Sequence, residues 1–130
     1  MFIDANVFIY AYAALDEKGR RSKELLRKSS IGEQHATTSA LVLNEIFYYF
    51  MENEGLPAVE EIRRHIGSLP FLIILPIDNN TANASMEYMR QGLQVTDAFH
   101  AATMKIAGIS TICSYDKHFD SVKSIKRQQP

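Results

Sequence analysis

Four acidic residues stand where carboxylates can do chemistry: Asp4, Glu45, Asp97 and Asp116. Asp4 closes the apolar run Met1-Phe2-Ile3. Asp116 follows the apolar segment Ser110–Cys113 by way of Ser114 and Tyr115. Both read as strand-end acids, and in an open parallel sheet the ligand crevice lies outside the carboxyl ends of the strands. Asp97 falls in the first turn of a helix, TDAFHAATMKIAG, that feeds the second of these strands. Glu45 is the one charge inside the apolar stretch ALVLNEIFYYF, and an acid there is costly to bury unless it is paired or binds a cation.

Each acid has a plain explanation when taken alone. Asp4 can cap the helix after it. Glu45 can lie on the wet stripe of its helix, Asp97 suits the positive end of a helix dipole, and Asp116 can be a turn residue. Taken together on a parallel sheet, all four converge on one crevice. Four carboxylates that close repel one another unless a divalent cation sits among them. Oxygen ligands suit Mg²⁺ or Mn²⁺ and not Zn²⁺. Such a centre suits phosphodiester hydrolysis, because the metal lowers the pKa of a bound water and stabilises the leaving oxygen. Asp78 and Asp120 rank below these four. His100 shares a helix face with Asp97 and reads as a core or orienting group, not as a ligand.

The elements that must position these residues alternate, which favours an α/β fold. The pattern predicts a strand at Met1–Asp4 and a helix over Asn6–Leu15. A charged amphipathic helix runs from Asp16 until Gly32 stops it. A short strand follows at His35–Thr38, then a helix capped by Ser39 and ended by Gly55. Pro57 suits the first turn of a helix running to about Gly67. FLIILPI reads as a central strand closing on Asp78. A helix starts at the Asp78-Asn79-Asn80-Thr81 cluster and runs to about Arg90, and the next is capped by Thr96 and stopped by Gly108. A strand at Ser110–Cys113, a turn at Lys117–Asp120 and an edge strand near Ser124–Lys126 complete the chain.

With 130 residues, 46% of them hydrophobic, the chain suits one compact domain. A net charge of −1 counts against non-specific coating of nucleic acid. One cysteine, Cys113, excludes an internal disulfide and reads as a small core residue. No signal-peptide pattern is present and no apolar run, that at Phe71–Leu75 included, is long enough to span a membrane, so a soluble cytoplasmic protein is expected. The basic face of the Asp16–Gly32 helix is either simply solvated or a phosphate-contacting surface. In the Phe47-Tyr48-Tyr49-Phe50 run, Phe47 and Phe50 read as core, while Tyr48 and Tyr49 are candidates for an interface.

The motifs FIDANVFIYAY, SALVLNEIFYYF, VTDAFHAATMKIAG and TICSYDKHFDSV resemble, in order and spacing, those of the PIN-domain nucleases, in particular the VapC-type toxin ribonucleases of prokaryotic toxin–antitoxin pairs. The resemblance covers essentially the whole chain, as a single PIN domain over residues 1–130. It implies a three-layer α/β/α fold with a central parallel sheet of four or five strands. It also implies an acidic pocket holding Mg²⁺ or Mn²⁺, with Asp4, Glu45, Asp97 and Asp116 as its metal-binding and catalytic acids. Asn6 and Ser114 match small polar positions that orient carboxylates, and Asp120 could assist or replace Asp116. The implied reaction is in-line attack of an activated water on a backbone phosphorus, with Glu45 positioning the metal or accepting a proton. The implied substrate is RNA, single-stranded or in a structured loop, with Lys18, Arg20, Arg21 and Lys117 as candidate phosphate contacts. The implied partners are an antitoxin and a second copy of the chain. A haloacid-dehalogenase-type phosphatase would need a second acid where Asn6 stands. A receiver domain would need an acid pair after the first strand. The remaining alternative is a PIN-like scaffold that binds RNA or protein without cutting.

Overall fold

The computed structural model describes all of residues 1–130. Five parallel strands form one sheet: β1 (Phe2–Ile3), β2 (Ala36–Ser39), β3 (Leu72–Leu75), β4 (Thr111–Cys113) and β5 (Lys126–Gln128), in the spatial order β3-β2-β1-β4-β5. The helices that flank it are α1 (Ala5–Ala13), α2 (Glu17–Ser30), α3 (Ala40–Glu54), α4 (Leu56–Gly67), α5 (Asn79–Arg90) and α6 (Val95–Ile106), with a 3₁₀ turn at Lys117–Ser121. This is the expected α/β/α architecture, with five strands.

The shortest strand holds the middle. Phe2 and Ile3 are fully buried, and Phe2 faces Thr37 on one side and Ile112 on the other. The Thr38 hydroxyl donates to the Ile3 carbonyl (2.9 Å), and the Asp4 N–H donates to the Cys113 carbonyl (3.1 Å), so the end of β1 is held from both sides. One apolar cluster joins α1, α2, α3 and α4 to the sheet through Phe8, Leu25, Ile46, Phe50 and Ile62. A smaller one, with Tyr88, Leu93, Ala98 and Val122, packs α5 and α6. Cys113 is buried in the first, and burial pushes its thiol up to about 12.

Local chemistry sets the helix ends. Ser39 Oγ accepts from the Val42 N–H (3.3 Å) to start α3, which stops at Gly55 with φ +84°. Asp16 Oδ1 accepts from the Gly19 N–H (3.0 Å) to start α2. That helix buries Ser22, Leu25, Leu26 and Ser29 and turns its charged face outward, where Arg20 pairs with Glu17 and Arg27 with Glu24.

Three expectations need correction. The FLIILPI segment is an edge strand, not a central one: β3 pairs only with β2, and Ile73 is 60% exposed. The chain steps outward from β1 to β2 to β3 and then crosses back to β4, so the apolar run lies at the rim and its need for cover is unmet within the chain. Thr96 does not cap α6. The helix begins two residues earlier, behind Gln94 and with no side-chain cap, because Leu93 is already anchored in the smaller cluster and fixes the chain's entry. The last strand lies at Lys126–Gln128, in register with Thr111–Cys113.

Candidate active site

Asp4 is the residue on which the site closes. It is 5% exposed and sits at the turn from β1 into α1. One carboxylate oxygen accepts from the Ala5 N–H (2.8 Å). The other accepts from Asn6 Nδ2 (2.7 Å) and from the Ser114 hydroxyl (2.5 Å). The capping role and the site role are therefore carried by one side chain, one oxygen to each. Ser114, fully buried after β4, also accepts from Asn6 Nδ2 (3.0 Å) and from the Asp116 N–H (2.9 Å). Asn6 in turn accepts from the Tyr115 N–H (3.1 Å). Asn6 and Ser114 thus act as expected, joining the ends of the two neighbouring strands around the Asp4 carboxylate.

Beside Asp4 opens a cleft of about 410 Å³, lined by Asp4, Asn6, Glu45, Tyr48, Asp97 and Asp116 among others. All four acids singled out from the sequence face it, from β1, α3, α6 and the turn after β4. Glu45 reaches in from α3 and is bonded to His100 Nε2 at 2.6 Å. His100 is 1% exposed, packs its ring 5.8 Å from that of Phe2, and keeps Nε2 4.0 Å from Asp4 Oδ1. It is a buried brace for Glu45. Its Nδ1 has no partner.

Asp97 and Asp116 meet over His118. His118 Nδ1 lies 3.3 Å from Asp97 Oδ2 and 3.2 Å from Asp116 Oδ1, and the Asp116 carboxylate also accepts from the His118 N–H (2.9 Å). Ligand atoms of these three residues lie within 4.8 Å of one another. His118 is the member of the cluster that sequence reasoning passed over. Its only signal was the Asp-x-His spacing in Asp116-Lys117-His118, which gains meaning once the 3₁₀ turn folds the ring back over the acids.

Asp120 does not join the cleft. It forms a two-point ion pair with Arg127 (2.7 and 2.9 Å), and Arg127 also donates to the Ser114 carbonyl (3.1 Å). Arg127 therefore clamps the turn that carries Asp116 and His118. Asp78 caps α5 through the Thr81 N–H (3.0 Å) and is a structural acid.

The electrostatics match a cation-binding centre. Burial pushes the Asp4 carboxyl above its usual range; His100 and Ser114 oppose this and Glu45 adds to it. Burial and the Asp116 charge raise Asp97, with His118 and His100 pulling the other way. Burial opposes the charged form of His100, but the Glu45 hydrogen bond and the charges of Glu45, Asp4 and Asp97 outweigh it and hold the imidazole above its usual value. Acids strained upward in this way gain most from a divalent cation, whose charge removes the mutual repulsion. The donor set, four carboxylates with one imidazole at the rim, fits Mg²⁺ or Mn²⁺.

Known proteins share this arrangement of strands. VapC20 of Mycobacterium tuberculosis, described as a toxin that cleaves the sarcin–ricin loop, superposes with a TM-score of 0.80 at 18% identity, over 99% of this chain and 98% of that one. A toxin–antitoxin complex from Klebsiella pneumoniae superposes with a TM-score of 0.70 at 16% identity, over 96% and 94% of the two chains. In sequence, the Mycobacterium tuberculosis protein named Ribonuclease VapC13 is 27% identical over 133 aligned positions that take in 98% of each chain. The sequence model of the PIN domain matches residues 1–125, from the central strand to just before the last one. With that match spanning the strands and helices that bring the four acids together, the chain belongs to the PIN domain family.

Proposed function

We propose that this chain is a metal-dependent endoribonuclease that hydrolyses RNA phosphodiester bonds, and that it is the toxin of a two-protein toxin–antitoxin pair. One observation carries the reading: Asp4, Glu45, Asp97 and Asp116 come from four separate elements to one cleft, where burial and neighbouring acids disfavour the charged forms of Asp4 and Asp97. A scaffold gains nothing from that cost, whereas a cation site recovers it. The names of the similar VapC proteins support the substrate class, and the Klebsiella pneumoniae complex supports an antitoxin as partner.

Asp4, Asp97 and Asp116 would hold Mg²⁺ or Mn²⁺, with Glu45 beside them. Such a cation supplies a nucleophile at neutral pH and neutralises charge on the phosphoryl oxygens. The chain's own residues do the rest. Asn6 and Ser114 fix the rotamer of Asp4. His100 turns Glu45 toward the cleft, where its carboxylate can orient the attacking water and take its proton. His118, 61% exposed at the rim, sets the spacing of Asp97 and Asp116. Tyr48 and Met51 on α3 and Phe71 and Ile73 at the β3 edge leave apolar surface uncovered, which suits an antitoxin segment and a second copy of the chain. No helix is long and apolar enough to cross a membrane, and the proposed activity belongs to the cytoplasm.

The test is cleavage of a mixed single-stranded RNA pool by the wild type and by Asp4→Asn, each with Mg²⁺, Mn²⁺ or EDTA. Cleavage that requires metal and vanishes in the variant is the expected result. Equal cleavage by both proteins would remove the site as drawn. RNA binding without cleavage under every condition would favour the scaffold.

A further inference from the structure

Lys18 lies at the start of α2, and four contacts define its place. Its Nζ sits 5.0 Å from the centre of the Tyr10 ring and 5.3 Å from that of Tyr115. The two rings meet edge to face with centroids 5.0 Å apart. The Tyr115 hydroxyl donates to the Lys18 carbonyl at 3.2 Å. The backbone beneath is fixed as well. Asp16 caps the helix through the Gly19 N–H, and Gly19 lies so close to α1 that a Cβ there would stand 2.1 Å from the Ala14 carbonyl oxygen.

An exposed lysine is ordinarily a flexible stem with a wandering charge. Here the aromatic rings hold the ammonium, and the Tyr115 hydroxyl holds the residue's backbone carbonyl. No carboxylate lies within ion-pair distance of it, whereas Arg20 is paired with Glu17 and Arg27 with Glu24 on the same helix. Its seat is joined to the acidic cleft through Asn6, which lines it. Tyr115 stands between Ser114 and Asp116, and its N–H is bonded to Asn6. Tyr10 is one helical turn beyond Asn6 on the same face of α1. A positioned, unpaired cation whose seat adjoins the wall of a strongly acidic cleft answers the main electrostatic problem of a site that must accept a polyanion.

We propose that Lys18, seated between the rings of Tyr10 and Tyr115, binds a backbone phosphate of the RNA strand adjacent to the phosphate held in the acidic cleft. The inference rests on the ribonuclease reading above. A lysine is suited to the role because it recognises phosphate as a point charge and need not match a fixed fork geometry. Arg20, tied to Glu17, is removed from the candidate contacts.

The experiment measures binding of a fluorescently labelled single-stranded RNA pool by anisotropy, in Mg²⁺ and between 0.1 and 0.3 M KCl, where these limits are about the useful range for counterion-release analysis. Asp4→Asn serves as the non-cleaving reference and is compared with Asp4→Asn/Lys18→Gln and Asp4→Asn/Lys18→Arg. Loss of one phosphate contact to single-stranded RNA lowers the slope of log K against log salt by about 0.7. Taking about 1 M as the point where the ionic contribution vanishes, affinity falls about fivefold at about 0.1 M and about twofold at about 0.3 M. Lys18→Arg keeps the charge and is expected to restore the slope. Tyr115→Phe, which keeps the ring and loses the bond to the Lys18 carbonyl, is expected to fall between. RNA binding with an unchanged slope in Lys18→Gln overturns the inference and leaves the ribonuclease reading standing. Failure of every protein, wild type included, to bind or cut RNA overturns both. An unchanged slope together with loss of a protein partner would assign Lys18 to a protein contact and refute the phosphate role.

Discussion

Replacing Ser114 by Ala should damage both the fold and the site, and the size of each effect can be worked out. The hydroxyl donates to Asp4 at 2.5 Å and accepts from Asn6 Nδ2 at 3.0 Å and from the Asp116 N–H at 2.9 Å. A hydrogen bond to a charged partner contributes roughly 1.5–3 kcal/mol, and a part-buried N–H left without an acceptor costs about 1 kcal/mol or more. Asn6 loses less, since it keeps its bonds to Asp4 and to the Tyr115 N–H. Water entering the gap returns some of this, so the net destabilisation is about 2–4 kcal/mol. For a domain of this size each kcal/mol moves Tm by about 4 °C, and the metal-free protein should melt about 8–16 °C lower. The same hydroxyl holds the Asp4 carboxyl down against burial. Without it the acid is harder to ionise, so Mn²⁺ should bind more weakly and require higher pH. Thermal melts by circular dichroism in EDTA, with Mn²⁺ titrations followed by electron paramagnetic resonance, measure the two effects separately. A Tm within about 2 °C of wild type, within the noise of such melts, together with unchanged Mn²⁺ affinity, would show that the Asp4–Asn6–Ser114 network does not hold the site.

Asp97→Asn should abolish cleavage yet stabilise the metal-free protein at pH 8 by less than about 1 kcal/mol, the scale of a partly exposed charge pair. The raised pKa of Asp97 sets the sign: its penalty is absent below the unfolded value of 3.8, grows as pH rises through the folded value, and stays constant above it, so urea unfolding of the two proteins should converge at acid pH. Arg127→Gln should release both Asp120 and the Ser114 carbonyl, lower Mn²⁺ affinity by about 10-fold, as loss of outer-shell support does, and leave the far-ultraviolet circular dichroism spectrum intact. Equal Mn²⁺ affinity would show that the clamp does not reach the metal ligands. Gly19→Ala should cost about 1–3 kcal/mol in a denaturant melt, because a methyl group cannot fit against the Ala14 carbonyl oxygen without moving α2.

The sequence was most legible where one residue settles a local question. Ser39 and Gly55 bound α3, and acids after apolar runs marked two strand ends and hence the cleft. Glu45 was legible because an apolar helix makes a lone acid conspicuous, and His100 because burial beside Asp97 left it an orienting role. Strand order was not legible. An apolar run such as FLIILPI states that a segment needs cover and not what supplies it, while the two-residue β1 took the centre by pairing on both sides. Thr96 has the chemistry of a cap, but the anchoring of Leu93 decided where α6 begins. His118 and Arg127 were missed for a shared reason: each acts through a turn or a pairing register that brings it back on residues the chain has already passed. Among the cations of α2, sequence could offer Lys18 and Arg20 alike, and only the rings beside the first and the acid beside the second separate them.

The bond between Ser114 and Asp4 spans 110 positions of the chain. The middle strand of the sheet is made from residues 2 and 3, and one of its two neighbours from residues 111–113. During synthesis the first acid leaves the ribosome more than a hundred residues before the strand and turn that complete its carboxylate network. A nascent chain cut short before residue 111 lacks one side of its central strand, as well as Ser114, Asp116 and His118, so no partial product can carry the assembled cleft. Pairing across so long a stretch also makes for slow folding, since loop closure must precede the reward of contact. On the proposed reading, this ordering separates translation from activity: the cleft is complete only after residues 111–118 have been made.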